Sequence, residues 1–575
     1  MENASFQTQP VCFGSFELDL RAGELRKQGV KIKLQEQPFQ ILAMLLANHG
    51  QVVTREELRS RLWLSDTFVD FDHSLNKAIN KLREALGDSA ENPRFIETLA
   101  KRGYRFLGDL KGSARGIQSL LVLPLENLSR DPEQEYFADG LTEELITKLA
   151  RISALRVLSR TTAMHYKGVR KPLPEIAREL QVEGVVEGTV LRSGERIRIS
   201  AQLIHAPTDT HLWAETYDRD LRDVLALQSE LAQAIAREVR VKLTPHDQAH
   251  FAQARRVEPD AYEAYLKGRY YWNRRSGEAL PKAIQCFRQA IAKDPGYAAA
   301  YAGLADSLSS LGTWSFVPPN EGCAKAKGFA LRAVELDPGL AEAHVALAWV
   351  TAWYDYDFVA AEREFEQAIE LNPRYPTAHY WFGFYLAMMG RYEEGYTELK
   401  RAIRLDPRSG VVHWGLGLVF WCSRRYDQAI EQSEKALELD ASFAPAHALL
   451  GWAYPCKSLH EPAITSLRKA VEHSHGASQW VGSLGEAYAL AGHWDEAQKI
   501  LEQLQELSKQ CYVTPYIIGR IYAALGEKDE AFRWLETAYQ ERASWMIFLK
   551  TDPHLDDLRS DLRFQDLIRR MNFPQ

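Results

Sequence analysis

Three hydrophobic rhythms follow one another along the chain. Residues 11–108 interleave short alternating runs with amphipathic helices, residues 117–244 mix β-rich runs with helices, and residues 258–542 are helical and repetitive. In the first stretch, Thr54-Arg55-Glu56-Glu57 has the form of a capping box, which predicts a helix running to about Leu62. A second helix, capped by Asp72 or Ser74 and ending before Gly87, would bury Leu75, Ile79, Leu82 and Leu86, which recur at intervals of 4, 3 and 4. Its opposite face holds His73, Lys77, Asn80, Lys81 and Glu84, with Asn76 and Arg83 on a flank. The segment from Phe95 to Phe106 alternates around Lys101-Arg102-Gly103 and predicts a β-hairpin with a cationic tip. Alternation places Tyr104 and Phe106 in the core.

The repeats carry the strongest signal. Gly383, Gly417, Gly451, Gly485 and Gly519 are spaced 34 residues apart, each followed twelve residues later by a small residue (Gly395, Ala429, Ala463, Ala497, Ala531). Pro295, Pro338, Pro373 and Pro407 close the earlier units. Small residues at fixed points let antiparallel helices approach closely, and the proline ends the second helix of each unit. About eight units fit into residues 258–542, leaving 543–575 as a C-terminal helical cap. This region resembles the tetratricopeptide repeat. By that resemblance, Tyr380, Phe384, Trp414, Leu418, Trp421, Trp452 and Tyr516 face the concave side. They read either as an aromatic groove for a protein, peptide or small apolar ligand or as packing between repeats. His344, His379, His413 and His447 recur at 35, 34 and 34 residues, a spacing that suits one equivalent packing position rather than a shared metal ion.

Charge sharpens the reading of the N-terminal stretch. The 575 residues carry a net charge of −7, which argues against a surface that coats nucleic acid throughout. Yet residues 1–110 hold 15 basic and 15 acidic side chains, so the whole deficit lies beyond them. Residues 73–108 hold seven basic and four acidic side chains, concentrating positive charge on the second helix and the hairpin. A face of amides and ammonium groups suits the DNA major groove, where amides read adenine and cations contact guanine or phosphate.

The short strands from Cys12 to Leu34, the helix from Gln35 to Asn48, the Thr54 helix, Val69-Asp70, Leu82-Arg83 and Gly103-Tyr104-Arg105-Phe106 together resemble the OmpR/PhoB-type winged helix-turn-helix. The resemblance implies double-stranded DNA as partner. It places Lys77, Asn80, Lys81 and Arg83 on DNA from the third helix and Lys101, Arg102 and Arg105 from the wing, and His73, Ser74 and Asn76 of the same helix join them as candidate contacts. It also leaves room for a homodimer on DNA. The direct join to a sensory body is similar to CadC/ToxR-type one-component regulators. A protein-interaction scaffold whose winged helix contacts protein is the alternative.

The fold class expected is multidomain and mainly α: residues 1–10 flexible, a winged helix over 11–108, a linker over 109–116, an α/β module over 117–244, and the solenoid. The phrases LLVLPLENLSRDPEQEYFADG and GVVEGTVLRSGERIRISAQLI resemble the TolB-N/FlgO-like module, which carries over no site. Asp209, His211, Glu215, Asp218 and Asp220 form the densest group of potential ligands, but without metal-binding spacing they read as a solvated strand and turn. No phosphate-binding loop, HExxH or nucleophile elbow occurs, so no enzyme, cofactor or metal is expected. The six scattered cysteines and the lack of a long apolar run point to a cytoplasmic protein without a membrane segment.

Overall fold

The computed structural model describes residues 11–20, 22–27, 29–48, 50–62, 71–99, 102–108, 110–111, 117–129, 131, 134–152, 154–239, 244, 257–274 and 276–574. The expected flexible start, the loop at 63–70 with Val69-Asp70, Lys101, residues 112–116 of the linker and Pro245 lie outside them. Two compact units emerge, Met1–Gly116 and Ile117–Gln575.

In the first unit, strands β1 (Val11–Phe13), β2 (Phe16–Asp19), β3 (Glu24–Lys27) and β4 (Val30–Ile32) form an antiparallel sheet, closed on its other edge by β8 (Leu110–Lys111). Helices α1 (Glu36–Ala47), α2 (Arg55–Leu62) and α3 (Phe71–Leu86) follow, with β5 (Val52–Thr54) between the first two. The wing is β6 (Ile96–Leu99) and β7 (Gly103–Phe106), paired in the order β5-β7-β6. Leu75, Ile79, Leu82 and Leu86 meet Ile41, Leu42 and Leu45 of α1 in one core with Tyr104 and Phe106. Helix α3 starts at Phe71, so Asp72 and Ser74 sit in its first turn rather than at its cap. The capping box on α2 forms as expected: Thr54 N–H donates to Glu57 Oε2 at 2.7 Å, and Glu57 N–H donates to Thr54 Oγ1 at 3.2 Å. Those Thr54 donors hold the Glu57 carboxyl below its usual range.

The second unit opens with a mixed sheet. Strands β9 (Ser119–Val122), β11 (Arg156–Val157) and β12 (Gly184–Ser193) run parallel, and β13 (Arg196–His205) and β14 (Thr210–Asp220) continue antiparallel in the order β11-β9-β12-β13-β14; β10 (Glu126–Asn127) pairs with β12. Helices α4 (Glu135–Ala150), α5 (Arg160–Met164), α6 (Leu173–Leu180) and α7 (Val224–Glu238) complete the module. Asp218 accepts from Arg196 and Arg198, Glu215 accepts from Tyr217, and Asp220 caps the turn at Arg222, so these carboxylates are used within the sheet.

Among the described residues eight helix pairs follow, from Pro259–Trp272 with Ala279–Lys293 to Pro515–Ala524 with Lys528–Gln540. The small residues act as the period implies: a Cβ on Gly383 would stand 2.8 Å from the Gly395 carbonyl oxygen. The recurring histidines are stitches. His344 spans from Glu364 (2.7 Å) to the Pro338 carbonyl (2.9 Å), and His379 from Glu398 (2.6 Å) to the Pro373 carbonyl (2.8 Å). His413 repeats this with Gln432 and Pro407, and His447 keeps the carbonyl of Ala441 and stacks on the His473 ring.

The module and the first helix pairs share one core, in which Phe137, Leu141 and Leu145 join Tyr262, Leu266 and Phe287. Further along, the backbone N–H of Ser159 donates to Leu405 O and Thr162 Oγ1 to Asp406 Oδ1, both at 3.0 Å.

An open aromatic groove does not form where the repeat pattern places it. Tyr380, Phe384, Trp414, Leu418, Trp421, Trp452 and Tyr516 are all buried. Residues 543–558 leave the last helix pair and fill the face made by the first helices. Phe548 meets Phe384 at 5.7 Å, Trp545 meets Trp452 at 5.8 Å, and Tyr516 donates to Asp552 at 2.7 Å. Beneath them Arg520, Glu486, Asp552 and His554 form a buried ionic cluster. Only Leu562–Arg570 behaves as the expected helical cap, pairing Arg563 with Asp529.

Candidate nucleic-acid interface

Helix α3 presents His73, Asn76, Lys77 and Asn80 to solvent, with Ser74 and Lys81 half-buried beside them. Not all of these are free to reach outward. Lys81 Nζ donates to Gln35 Oε1 at 2.7 Å, tying α3 to the start of α1. Asn76 Oδ1 accepts from Arg55 Nη2 at 3.1 Å and from the Tyr104 hydroxyl at 3.0 Å. Arg55 also pairs with Asp72 at 2.7 Å. Asn76 therefore sits at a junction of α2, α3 and the wing. Burial, opposed by the charges of Arg55 and Arg83, raises the Tyr104 hydroxyl above its usual range and keeps it a donor.

Two arginines are held by the wing, one buried and one half-exposed. Arg83 is 7% exposed, and its Nη2 donates to Ile96 O at 2.9 Å and Thr98 Oγ1 at 2.8 Å, pinning the helix to the first wing strand. Helical geometry placed it on the helix flank, but a long stem lets a guanidinium reach a strand edge and satisfy it. Arg105 faces Glu97 in the β6/β7 register and pairs with it at 2.6 Å, a cross-strand pair rather than a free cation.

What remains outward is compact. Lys77 and Asn80 are exposed one turn apart, and neither makes a side-chain hydrogen bond or ion pair among the described residues. His73 and Ser74 lie one turn earlier. Arg102 is exposed at the hairpin tip, where its carbonyl accepts from the Arg55 N–H at 3.2 Å, so backbone ties the wing tip to the start of α2. Gly103 permits this close approach: a Cβ there would stand 2.1 Å from the Val53 carbonyl oxygen.

The residue that sequence reasoning passed over is Arg55. A cation in the first turn of a helix opposes the helix dipole, so it implies a compensating partner elsewhere. Here the partners are Asp72, Asn76 and Tyr104. Arg59, over the Phe71 ring at 5.6 Å, adds a second link between α2 and α3.

Three strands against three helices, with a hairpin tip beside an amide- and ammonium-bearing third helix, match what known proteins share. Residues 29–106 match the family described as transcriptional regulatory protein, C terminal. The N-terminal unit is a winged helix of that family. Residues 364–396, 385–445 and 481–511 match tetratricopeptide-repeat families. The chain is 37% identical over 237 residues to a putative adenylate cyclase of Rhizobium meliloti, covering 41% of this chain and 40% of that protein. It is 23% identical over 390 residues to the transcriptional regulator HilA of Salmonella typhimurium, covering 66% and 68%. It is 38% identical over 76 residues to the cholera toxin homolog transcriptional activator of Vibrio parahaemolyticus, covering 13% and 26%. The chain thus spans about two fifths of the length of the first of these relatives. No helix among the described residues is long and apolar enough to cross a membrane.

Proposed function

We propose that this protein is a sequence-specific, DNA-binding transcriptional regulator of one-component type, whose winged helix reads duplex DNA and whose second unit receives the signal. The observation that carries the reading is the outward set on α3, where Lys77 and Asn80 make no side-chain hydrogen bond or ion pair among the described residues, together with the exposed Arg102 of the wing. Asn80 has the amide chemistry to pair with an adenine edge, and Lys77 can meet guanine or phosphate. His73 and Ser74 supply further contacts along the same face, and Arg102, with Lys101 beside it in sequence, meets the backbone from the wing. Asn76, Lys81, Arg83 and Arg105 act as positioning residues, because their side chains are already engaged within the domain.

The relatives called regulators support this assignment, and the protein works in the cytoplasm on this reading. The relative called an adenylate cyclase raises an enzymatic alternative, but we assign no chemical step to this chain, since the carboxylates of β14 serve the sheet. Selection of bound sequences from a random duplex pool by the full chain tests the proposal. A single enriched motif is expected, and it should disappear in the Lys77→Ala, Asn80→Ala, Arg102→Ala triple variant. Enrichment that survives in that variant would move the interface elsewhere.

A further inference from the structure

Where residues 543–558 cover the face made by the first helices, a void of about 10 Å³ is enclosed. Trp545 closes it from the covering side, its ring 5.8 Å from that of Trp452 and 6.4 Å from that of Trp480. Most polar groups of the wall are already used. Tyr516 donates to Asp552 at 2.7 Å, and Arg520 is held by Glu486 and Asp552. Trp452 Nε1 donates to Ser483 Oγ at 3.2 Å, and that hydroxyl donates in turn to Gln479 O at 3.0 Å.

Three polar atoms of the wall are left over. Gln479 Oε1, Thr514 Oγ1 and Trp545 Nε1 are shielded from solvent, and none makes a hydrogen bond among the described residues. Their residues are only 6%, 2% and 9% exposed. Thr514 shows the point most clearly. It stands at the N-cap of the helix Pro515–Ala524, where a threonine hydroxyl ordinarily accepts from a first-turn N–H, yet its side chain makes no capping bond. Tyr512, two residues earlier, gives its hydroxyl proton to Glu541 at 3.2 Å instead.

Buried polar groups in folded proteins are almost always satisfied, and three unmatched around one void would cost a large share of a marginal stability. The chemistry of the three selects the ligand. An indole N–H only donates, an amide oxygen only accepts, and a hydroxyl does either. A cation would be repelled by the N–H and an anion by the amide oxygen, so the ligand is neutral and both donates and accepts. A void of this size admits about one water and nothing larger. We propose that a single buried water is a constituent of this site, accepting from Trp545 Nε1, donating to Gln479 Oε1 and sharing a hydrogen bond with Thr514 Oγ1. Gln479 and Thr514 belong to successive helix pairs and Trp545 to the cover. The water therefore ties the covering segment to both pairs and is released when the segment lifts.

High-resolution crystallography of the full chain tests this directly. One well-ordered water is expected within about 2.7–3.2 Å of all three atoms. A dry void, or a water out of reach of any of the three, would overturn the bridge. Denaturation in solution gives a second test, because the wet and dry sites differ in sign. Thr514→Val keeps the shape and removes the hydroxyl, and Gln479→Met keeps the length and removes the amide oxygen. In a dry void each change deletes an unmatched polar group, so the urea midpoint should hold or rise. With the water in place each change leaves it one partner short. Both midpoints should then fall, and the double variant should fall by less than the sum of the two. A midpoint that holds or rises in either single variant, or a strictly additive double variant, sinks the proposal. Neither readout involves DNA, so the water site is decided apart from the reading above.

Discussion

The outward face of α3 and the aromatic face of the helix pairs meet solvent in opposite ways. One holds Lys77 and Asn80 in water, where amide and ammonium groups keep their hydration until a partner replaces it. The other holds Trp421, Trp452 and Phe384, and the chain covers them with its own Trp545 and Phe548. Desolvation explains the contrast. Apolar rings gain from any cover, whereas a polar face gains only from one that matches it group by group. In this protein the polar face of α3 therefore stays open to solvent, while the face rich in aromatic residues is closed by the chain itself.

The contrast breaks most visibly at the cover. Trp545→Ala and Phe548→Ala should each cost about 3–5 kcal/mol of stability by urea denaturation; a loss well under about 1 kcal/mol would mean the segment merely rests on the face. Beneath it, burial opposes protonation of His554, but Glu486 beside it raises its pKa to about 10. A raised pKa means stability fully present below about 6.5, the unfolded value, and lost as pH climbs toward the folded one. Wild-type denaturation midpoints should fall across that window, and the fall should flatten in His554→Gln. In the N-terminal unit Arg83→Met should cost about 1–3 kcal/mol by unpairing Ile96 O and Thr98, with DNA affinity following the folded fraction. The smallest stability change sharpens the comparison most. Lys77→Ala and Arg102→Ala should leave stability within about 0.5 kcal/mol, yet each should lower the salt slope of DNA binding by about 1.

Periodicity made much of this architecture legible. The 34-residue glycines, the stripe from Leu75 to Leu86 and the Thr54 capping box each impose a local geometry that little else satisfies. The covering segment was not legible, because Ser544–Phe548 and Pro553–Leu558 are short 3₁₀ helices without a repeating apolar face. Nor was the engagement of Arg83 and Arg105 by the wing. A guanidinium's destination depends on which strand edge or carboxylate comes within reach, and that is a tertiary fact. The exposure of Lys77 and Asn80 was legible because helical geometry alone sets them opposite the buried stripe.

One brace has a mechanical meaning. Helix α5 hydrogen-bonds Leu405 and Asp406 at the end of the fourth helix pair, far along the chain from the module's own junction with the first. Repeat arrays held only by nearest neighbours stretch and twist like springs, and they tolerate gain or loss of a unit. A strut across four units forbids that between residues 259 and 406. Inserting or deleting one unit there would pull the strut from its socket, while the same change after the fourth pair would leave it seated. The early half of this solenoid is thus a frame of set length rather than an extensible coil.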